Sequence, residues 1–290
     1  MPWSIPFVAA ALAFLYGALV ERRWYRLVRR RLDILPADAS GPLTVLHLSD
    51  LHVTRGERRL GRFLASLPAA DVTVVTGDLV GEPEGVEHVV ELLRPTRGRL
   101  ASWFVLGSND YYAPRFRNPL RYLVPHRRRR SRSATRGRAG DLVACLVEDG
   151  WRDLTNARDE VALGTLPVEL LGLDDAHIFR HDLRVAPRRA RERFGIAVMH
   201  SPDSAPECAA LGYDLLVAGH THGGQVGIPF VGALVTNSAM PPRLAKGIVR
   251  IGDAVLSLSP GLGTSKYAPF RFAVRPEAML LELRPRRAGA

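Results

Sequence analysis

Short apolar runs alternate with amphipathic segments through the first part of the chain. The runs at 43–48, 72–76 and 103–106 are mostly apolar, as expected for strands buried on both faces. Between them, segments 58–67 and 86–93 place their apolar residues at helical spacing. Strands and helices that alternate at this spacing are typical of a parallel sheet, so we predict an α/β fold.

The second part of the chain is richer in strand-like runs. A helix is predicted near 141–149, and no internal repeat is found. An alternating first half followed by a strand-rich second half indicates two stacked sheets with helices outside. The strand-like runs lie at 153–157, 167–173, 177–182, 194–199, 214–218, 254–259 and 279–283.

The N-terminal segment has a different pattern. Residues 5–20 contain no charge, which is close to the lower limit of about 17 residues for a membrane-spanning helix. No Lys or Arg precedes Glu21, which argues against a cleaved signal peptide. Six arginines follow within 22–31, so the positive-inside rule predicts a single-pass anchor in the cell membrane with the remaining chain in the cytoplasm. The alternative is a buried or interfacial helix.

These patterns predict a domain organisation. Residues 1–31 form the membrane anchor with its basic flank, and 32–42 form a linker rich in Pro, Gly and Asp. The main domain covers 43–285, with an Arg-rich insertion at 111–140, and 286–290 form a tail.

The charge of the chain is concentrated in two places. Its 40 basic and 29 acidic residues give a net charge of +11. Segment 21–31 carries +5 and segment 111–140 carries +10, so the rest of the chain carries −4. A mildly acidic body argues against a nucleic-acid-coating protein, whose basic surface would lie across the domain itself.

Chemically reactive side chains follow five of the predicted strands. In an open α/β sheet, ligands bind beyond the carboxyl ends of the strands, so we expect these side chains to meet at one rim. Aspartate and histidine at i and i+2 of an extended chain point the same way. Mixed carboxylate and imidazole ligands without thiolate fit Mn, Fe or Zn, and the number of ligands favours two divalent ions. The candidates are Asp50, His52, Asp78, Asn109, His200, His220 and His222.

The other histidines lack this position at a strand end. We interpret them as structural or solvated residues. They are His47, His88, His126, His177 and His181.

Five motifs occur in an order and spacing that resemble one enzyme family. They are D-L-H, G-D-L-V, G-S-N-D, M-H-S-P-D and G-H-T-H-G-G-Q, and a late G-L-G-T follows. From about residue 43 to 283 the chain resembles the calcineurin-like metallophosphoesterases, and in particular a membrane-associated bacterial branch of that family.

The resemblance implies a four-layer fold, in which two packed mixed β-sheets are flanked by helices, and a dinuclear metal site. By position, Asp50, His52 and His222 would hold one ion and Asp78 would bridge the two. The second ion would be held by His200 and His220 together with an asparagine.

The sequence departs from the family pattern at that asparagine. The family has Gly-Asn-His, whereas this chain has Gly107, Ser108 and Asn109. Either Asn109 reaches the metal through a shifted loop, or Ser108 or water takes the place. In both cases the usual histidine is absent, which affects protonation of the leaving group.

The expected activity is hydrolysis of a phosphodiester or pyrophosphate bond that depends on two metal ions. Two cations lower the pKa of a water molecule and stabilise the charge on the phosphate oxygens. We expect a phosphorylated small molecule or lipid-linked substrate, with an anionic membrane surface as a partner. The alternatives are a nuclease that uses the Arg-rich insertion, and a non-catalytic metal-binding membrane scaffold. The sequence indicates no oligomeric state.

Overall fold

The computed structural model describes residues 4–114, 136–228, 232–234 and 236–286. The core of the predicted Arg-rich insertion, His126 and the predicted tail from 287 onward lie outside these residues.

The first sheet contains six strands. Its order is β1-β14-β2-β3-β4-β5, with β14 antiparallel to β2 and the other pairs parallel. Strands β2 to β4 match the predicted runs closely, so the α/β expectation is confirmed for this part. The strands are β1 (Arg26–Leu35), β2 (Leu43–Leu48), β3 (Val72–Thr76), β4 (Ala101–Val105), β5 (Arg152–Asp153) and β14 (Glu277–Pro285).

The second sheet also contains six strands. Its order is β12-β13-β9-β8-β7-β6, with antiparallel pairs at both ends and parallel pairs between them. A two-stranded ribbon, β10 (Gly227–Ile228) and β11 (Gly232–Ala233), lies apart from it. The strands are β6 (Ala157–Leu163), β7 (Leu166–Leu173), β8 (Phe194–Met199), β9 (Leu215–Ala218), β12 (Gly247–Ile251) and β13 (Ala254–Leu258).

The two sheets pack face to face, and helices cover their outer faces. Alternate residues of one strand point to opposite faces, so in β2 Val45 packs between the sheets and Leu46 packs under the helices. Burial on both faces explains why these strands are almost continuous apolar runs. The helices are α2 (Arg58–Ala65), α3 (Val86–Leu93) and α5 (Ala139–Glu148) beside the first sheet, and α6 (Ala205–Ala210) beside the second.

The N-terminal helix, α1 (Ser4–Leu19), corrects one prediction. Its 16 residues extend about 24 Å at 1.5 Å per residue, less than the roughly 30 Å of a bilayer core. Among the described residues, no helix combines the length and apolar character needed to cross a membrane. The sequence-based expectation of a single-pass helix is therefore not supported.

The segment after α1 differs from the predicted flank and linker. Strand β1 pairs in parallel with β14, from Arg26 beside Glu277 to Leu35 beside Pro285. Ile34 and Leu35 are buried between the sheets. The segment is therefore part of the folded body, because its apolar residues contribute to the core.

A second difference lies after β7. The strand-like run at 177–182 contains no strand. A 3₁₀ turn, Ala176–Ile178, includes its first two residues, and a second, Leu183–Val185, follows it directly. The carboxylates of Asp175 and Asp182 accept hydrogen bonds from the backbone N–H groups of His177 and Arg184. Such local bonds favour turns over strand pairing.

Candidate metal centre

The predicted site residues come together where five parallel strands end. Loops after β2, β3 and β4 bring residues from the first sheet, and loops after β8 and β9 bring residues from the second. The backbone joins these loops, because the N–H of Asp50 donates to Gly77 O and that of Gly219 donates to His200 O. The structure thus brings the loops that carry the candidate residues together at the carboxyl ends of the strands.

Several of these residues adopt a backbone conformation that non-glycine residues rarely take. The φ angles are 49° for Asp50, 45° for His52, 51° for Asp78, 69° for His220 and 49° for His222. Strained φ values of this kind cluster at functional sites, where the surrounding structure holds them in place. All five residues lie in the loops that follow the strands.

Two glycines allow the loops to approach each other. A Cβ at Gly107 would collide with the carboxylate of Asp78, and a Cβ at Gly219 would collide with Ser49 and Asp50. The carboxylates therefore lie directly against the backbone of a neighbouring loop.

A first ligand group consists of Asp50, His52 and His222. One potential ligand atom from each lies within 4.8 Å of the others. The Nε2 atoms of His52 and His222 are 3.3 Å apart, and Nε2 of His222 lies 3.5 Å from Oδ1 of Asp50. The two imidazole rings are stacked with centroids 5.1 Å apart.

A second ligand group consists of Asp50, Asp78 and His200, again within 4.8 Å. Oδ1 of Asp78 lies 3.5 Å from Nε2 of His200, while its Oδ2 lies 3.7 Å from Nε2 of His52. Asp78 thus directs one oxygen toward each side of the site. Nδ1 of His220 lies 3.2 Å from Nε2 of His200, which places His220 at the same side.

Asn109 lies against Asp78. Its backbone N–H donates to Oδ1 of Asp78 at 2.8 Å, and its side-chain amide donates to Oδ2. Asn109 therefore brings its amide to the metal-facing carboxylate from helix α4 (Ser108–Tyr111). An amide turned by 180° presents its oxygen to the same point, and oxygen is the ligand atom of asparagine.

Backbone carbonyls orient two of the histidines. Nδ1 of His200 lies 2.7 Å from Thr76 O, which leaves Nε2 free for the site. Nε2 of His220 lies 3.0 Å from Asn237 O, which leaves Nδ1 of His220 free for the site. Metal-ligating histidines usually donate their other N–H to such a partner, which fixes both tautomer and ring orientation.

The electrostatics of the site favour positive charge. Burial alone would lower the pKa of His200, but the carboxylates of Asp78, Asp175 and Asp50 raise it to about 10. Burial alone would raise the pKa of Asp78, but the surrounding histidines keep it below its usual value. Oδ1 of Asp50 and Nδ1 of His222 are buried without a hydrogen-bond partner among the described residues. Buried polar atoms of this kind are costly, so the donor set and its charge fit divalent metal ions.

Sequence reasoning missed three residues near the site. Asp110 accepts hydrogen bonds from the backbone N–H groups of Leu79, Val80 and Gly107, so it ties the loop after β3 to the loop after β4. Burial and the charge of Asp78 raise the pKa of Asp110 to about 7.

The other two missed residues follow β7. The ring of His177 contacts that of His220, with centroids 4.6 Å apart, and Asp175 is fully buried beside it. His177 was interpreted as a structural or solvated residue. The repeated aspartate at the end of a buried strand, Asp174-Asp175, was the available signal.

The fold and the site together define a metal-dependent phosphoester hydrolase. The family model of the calcineurin-like phosphoesterases matches residues 43–224, and the chain belongs to that family.

Several characterised and uncharacterised proteins are similar to this chain. The uncharacterised metallophosphoesterase YkuE of Bacillus subtilis is 25% identical over 224 residues, covering 74% of this chain and 68% of YkuE. The phosphodiesterase YaeI of Escherichia coli is 24% identical and covers 95% of this chain and 94% of YaeI. The UDP-2,3-diacylglucosamine pyrophosphatase LpxG of Chlamydia trachomatis is 23% identical and covers 82% of this chain and 83% of LpxG.

Proposed function

We propose that this protein hydrolyses a phosphodiester or pyrophosphate bond with two divalent metal ions. The observation that carries the proposal is the pair of ligand groups that share Asp50, with Asp78 directing one oxygen toward His200 and the other toward His52. Asp50, His52 and His222 would hold one ion. His200, His220 and Asn109 would hold the other, and the two oxygens of Asp78 would serve both. Mn, Fe and Zn suit this mixed set of imidazole and carboxylate ligands.

The ions would supply Lewis-acid chemistry and an activated water molecule. The chain itself supplies the orientation of the ligands. The carbonyls of Thr76 and Asn237 hold the rings of His200 and His220, and the carboxylate of Asp110 holds the two loops that carry Asp78 and Asn109. Fixing ligands before the reaction avoids reorganisation during it.

The absence of the family's usual histidine limits which phosphoester bonds the site could hydrolyse. Asn109 stands where the family has a histidine, and an amide does not give up a proton to a leaving group. A leaving group that is stable as an anion, such as a phosphate or an aryl oxide, is expelled without protonation. We therefore infer a preference for a pyrophosphate or an activated diester over a simple alkyl ester.

The experiment measures metal content and hydrolysis of bis-p-nitrophenyl phosphate by the purified chain. Two bound transition-metal ions with turnover lost on chelation are expected. Two bound ions without hydrolysis of any phosphoester would indicate the non-catalytic scaffold. Preferential cleavage of single-stranded nucleic acid would indicate a nuclease.

We also propose that the substrate is presented at an anionic membrane surface. Helix α1 contacts the rest of the chain through Phe14, whose ring stacks on that of Phe270 with centroids 5.3 Å apart. Much of the apolar surface of α1 is nevertheless exposed to solvent. Exposed apolar patches with a basic border are typical of membrane-surface contacts, and each basic residue adds about 1 kcal/mol toward anionic lipid. The exposed side chains of α1 are Phe7, Val8, Leu12, Phe14, Leu15, Tyr16 and Leu19.

Flotation with phosphatidylcholine vesicles, with and without phosphatidylglycerol, tests this part. Phe7→Ser with Leu12→Ser should weaken binding, while Leu100→Ser should not, since Leu100 is an exposed leucine near the start of β4. Equal binding by all three proteins would contradict the membrane proposal and leave the hydrolysis proposal in place.

A further inference from the structure

A cavity adjoins the metal centre on the side of His52. Its volume is about 320 Å³, within the range of small-molecule sites in proteins. His52 forms part of its wall, so the cavity begins where the first ligand group ends. The 3₁₀ turn after α1 contributes Arg22 and Arg23 to the wall of the cavity.

The cavity is basic. Six of its lining residues are charged, and four of these are positive: Arg22, Arg23, Arg55 and Lys266 against Glu57 and Glu82. Glu82 is already engaged, because Nζ of Lys266 lies 2.9 Å from its Oε2 and the backbone N–H of Arg55 donates to its Oε1 at 2.9 Å. Glu57 accepts a hydrogen bond from Thr54 at 3.1 Å.

The two arginines of the N-terminal turn lie close enough to affect each other. Burial and the charge of Arg23 lower the pKa of Arg22. Nε of Arg22 is buried without a hydrogen-bond partner among the described residues. An anion beside these guanidinium groups would offset their repulsion and accept the free N–H.

One of the loops that line the cavity also contacts the candidate metal centre. The loop 261–265 lines the cavity at Gly263, Thr264 and Ser265, and Gly261 packs directly on the side chain of Asp50. The buried guanidinium of Arg271 donates to the carbonyls of Pro260 and Gly263 and fixes this loop. The loop that lines the cavity is therefore in direct contact with a residue of both ligand groups.

From these observations we infer that the cavity binds a second phosphoryl group of the substrate, on the leaving side of the bond that is cleaved. The inference rests on the proposed function and narrows its substrate class to diphosphate-linked compounds. A water oxygen bonds to one phosphorus, and the bond from that phosphorus to the bridging oxygen breaks. The bridging oxygen leaves with the second phosphoryl group, and the proton of the water is released to solvent. Guanidinium groups stabilise the departing charge, which suits a site without the usual histidine.

The test uses Arg23→Gln with Arg55→Gln in the full chain. Both side chains are exposed at the cavity, so the fold tolerates the change. The matched control is Arg59→Gln, an exposed arginine of α2 that does not line the cavity. The probe is diadenosine 5′,5′-diphosphate, and bis-p-nitrophenyl phosphate is the reference substrate.

Binding is measured first, by titration calorimetry in the presence of a chelator, so that the result is independent of the metal-dependent reaction. The double variant should bind the diphosphate at least about tenfold more weakly than the unchanged chain and Arg59→Gln, as expected for lost charge-assisted hydrogen bonds. Equal affinity of all three proteins, or no binding by any, overturns the inference.

Kinetics with the metal-loaded chain provide the second readout. The ratio of kcat/KM for the diphosphate to kcat/KM for the diester should fall at least about tenfold in the double variant. An unchanged ratio overturns the inference even when the diester is hydrolysed. Absence of diester hydrolysis in the unchanged chain contradicts the proposed function instead.

Discussion

At the scale of single residues, Asp78 is the side chain on which the site depends most. It directs one oxygen toward His200 and the other toward His52, and Asn109 donates to it twice. Its backbone is strained, with φ at 51°. These contacts fix the orientation of the Asp78 carboxylate, so it is preorganised to bind a metal ion.

Asp78→Asn should abolish most of the activity and lower the metal content. The amide removes the negative charge that lies between His200 and His52. Loss of a direct ligand exceeds the 10- to 100-fold effect of typical outer partners, so we expect activity to fall more than about 100-fold. Elemental analysis and turnover of bis-p-nitrophenyl phosphate measure the effect. Asp141→Asn on the exposed side of α5 is the control, and near-normal turnover with two bound ions in Asp78→Asn would contradict the assignment.

His47 is a second residue with a testable consequence. It is fully buried between the sheets, where its ring bonds to Ser257 at 3.2 Å and Thr76 at 3.0 Å. Burial lowers the pKa of His47 to about 4. In the unfolded chain its pKa is about 6.5, so below that pH the unfolded state binds a proton that the folded state rejects.

The unfolding free energy should therefore fall as the pH drops from 6.5 toward 4. Between pH 7.5 and pH 5 this residue accounts for a loss of about 2 kcal/mol. Urea denaturation of the chain and of His47→Gln at both pH values measures it. The loss should be smaller in the variant, and an equal loss in both proteins would show that other groups cause it.

At the scale of elements, the strands and helices that surround the site were predictable and β1 was not. Strands β2, β3 and β8 are buried on both faces, so their sequences are almost uniformly apolar. Strand β1 lies at the edge of its sheet, and the arginines at 29–31 are exposed to solvent. These charged residues interrupt the apolar pattern by which a buried strand is recognised in the sequence. Only its pairing with β14, far along the chain, makes it a strand.

The candidate site was predictable for a related reason. Aspartate and histidine directly after a buried strand are visible in the sequence, and all seven candidates lie at the rim. The left-handed backbone at these residues, the approach of His177 to His220 and the cavity beside His52 depend on contacts between distant segments. No local pattern encodes them.

Deletion of β1 should destabilise the body more than deletion of α1. Removing residues 1–35 exposes an edge of β14 and takes away Ile34 and Leu35, whose burial contributes about 3–6 kcal/mol together. Removing residues 1–19 leaves β1 intact and is the matched control. Thermal unfolding should show a clearly lower Tm for the longer deletion, and equal Tm values would contradict the role of β1.

At the scale of the whole molecule, the site joins the two sheets. Asp50 and Asp78 follow strands of the first sheet, while His200, His220 and His222 follow strands of the second. Ions held by both sets of ligands would connect the sheets at one end. Binding to the folded state alone stabilises it by mass action.

Metal removal should therefore lower the Tm of the entire body. At a free metal concentration of 100 times Kd, one ion stabilises the folded state by about 2.7 kcal/mol, which corresponds to several degrees for a chain of this size. Calorimetry with Mn²⁺, and then with excess chelator, measures the shift. The shift should largely disappear in Asp78→Asn, and a full shift in that variant would place the stabilising ion elsewhere.

The place of β14 in the first sheet has a consequence for synthesis of the protein. Arg26 pairs with Glu277, 251 residues later, and β14 lies between β1 and β2. A nascent chain emerges from the ribosome with its N-terminus first, so the gap between these strands stays open until β14 has been translated. A ribosome that stops early, before residue 277, releases a body with two unprotected strand edges, and such edges recruit other chains.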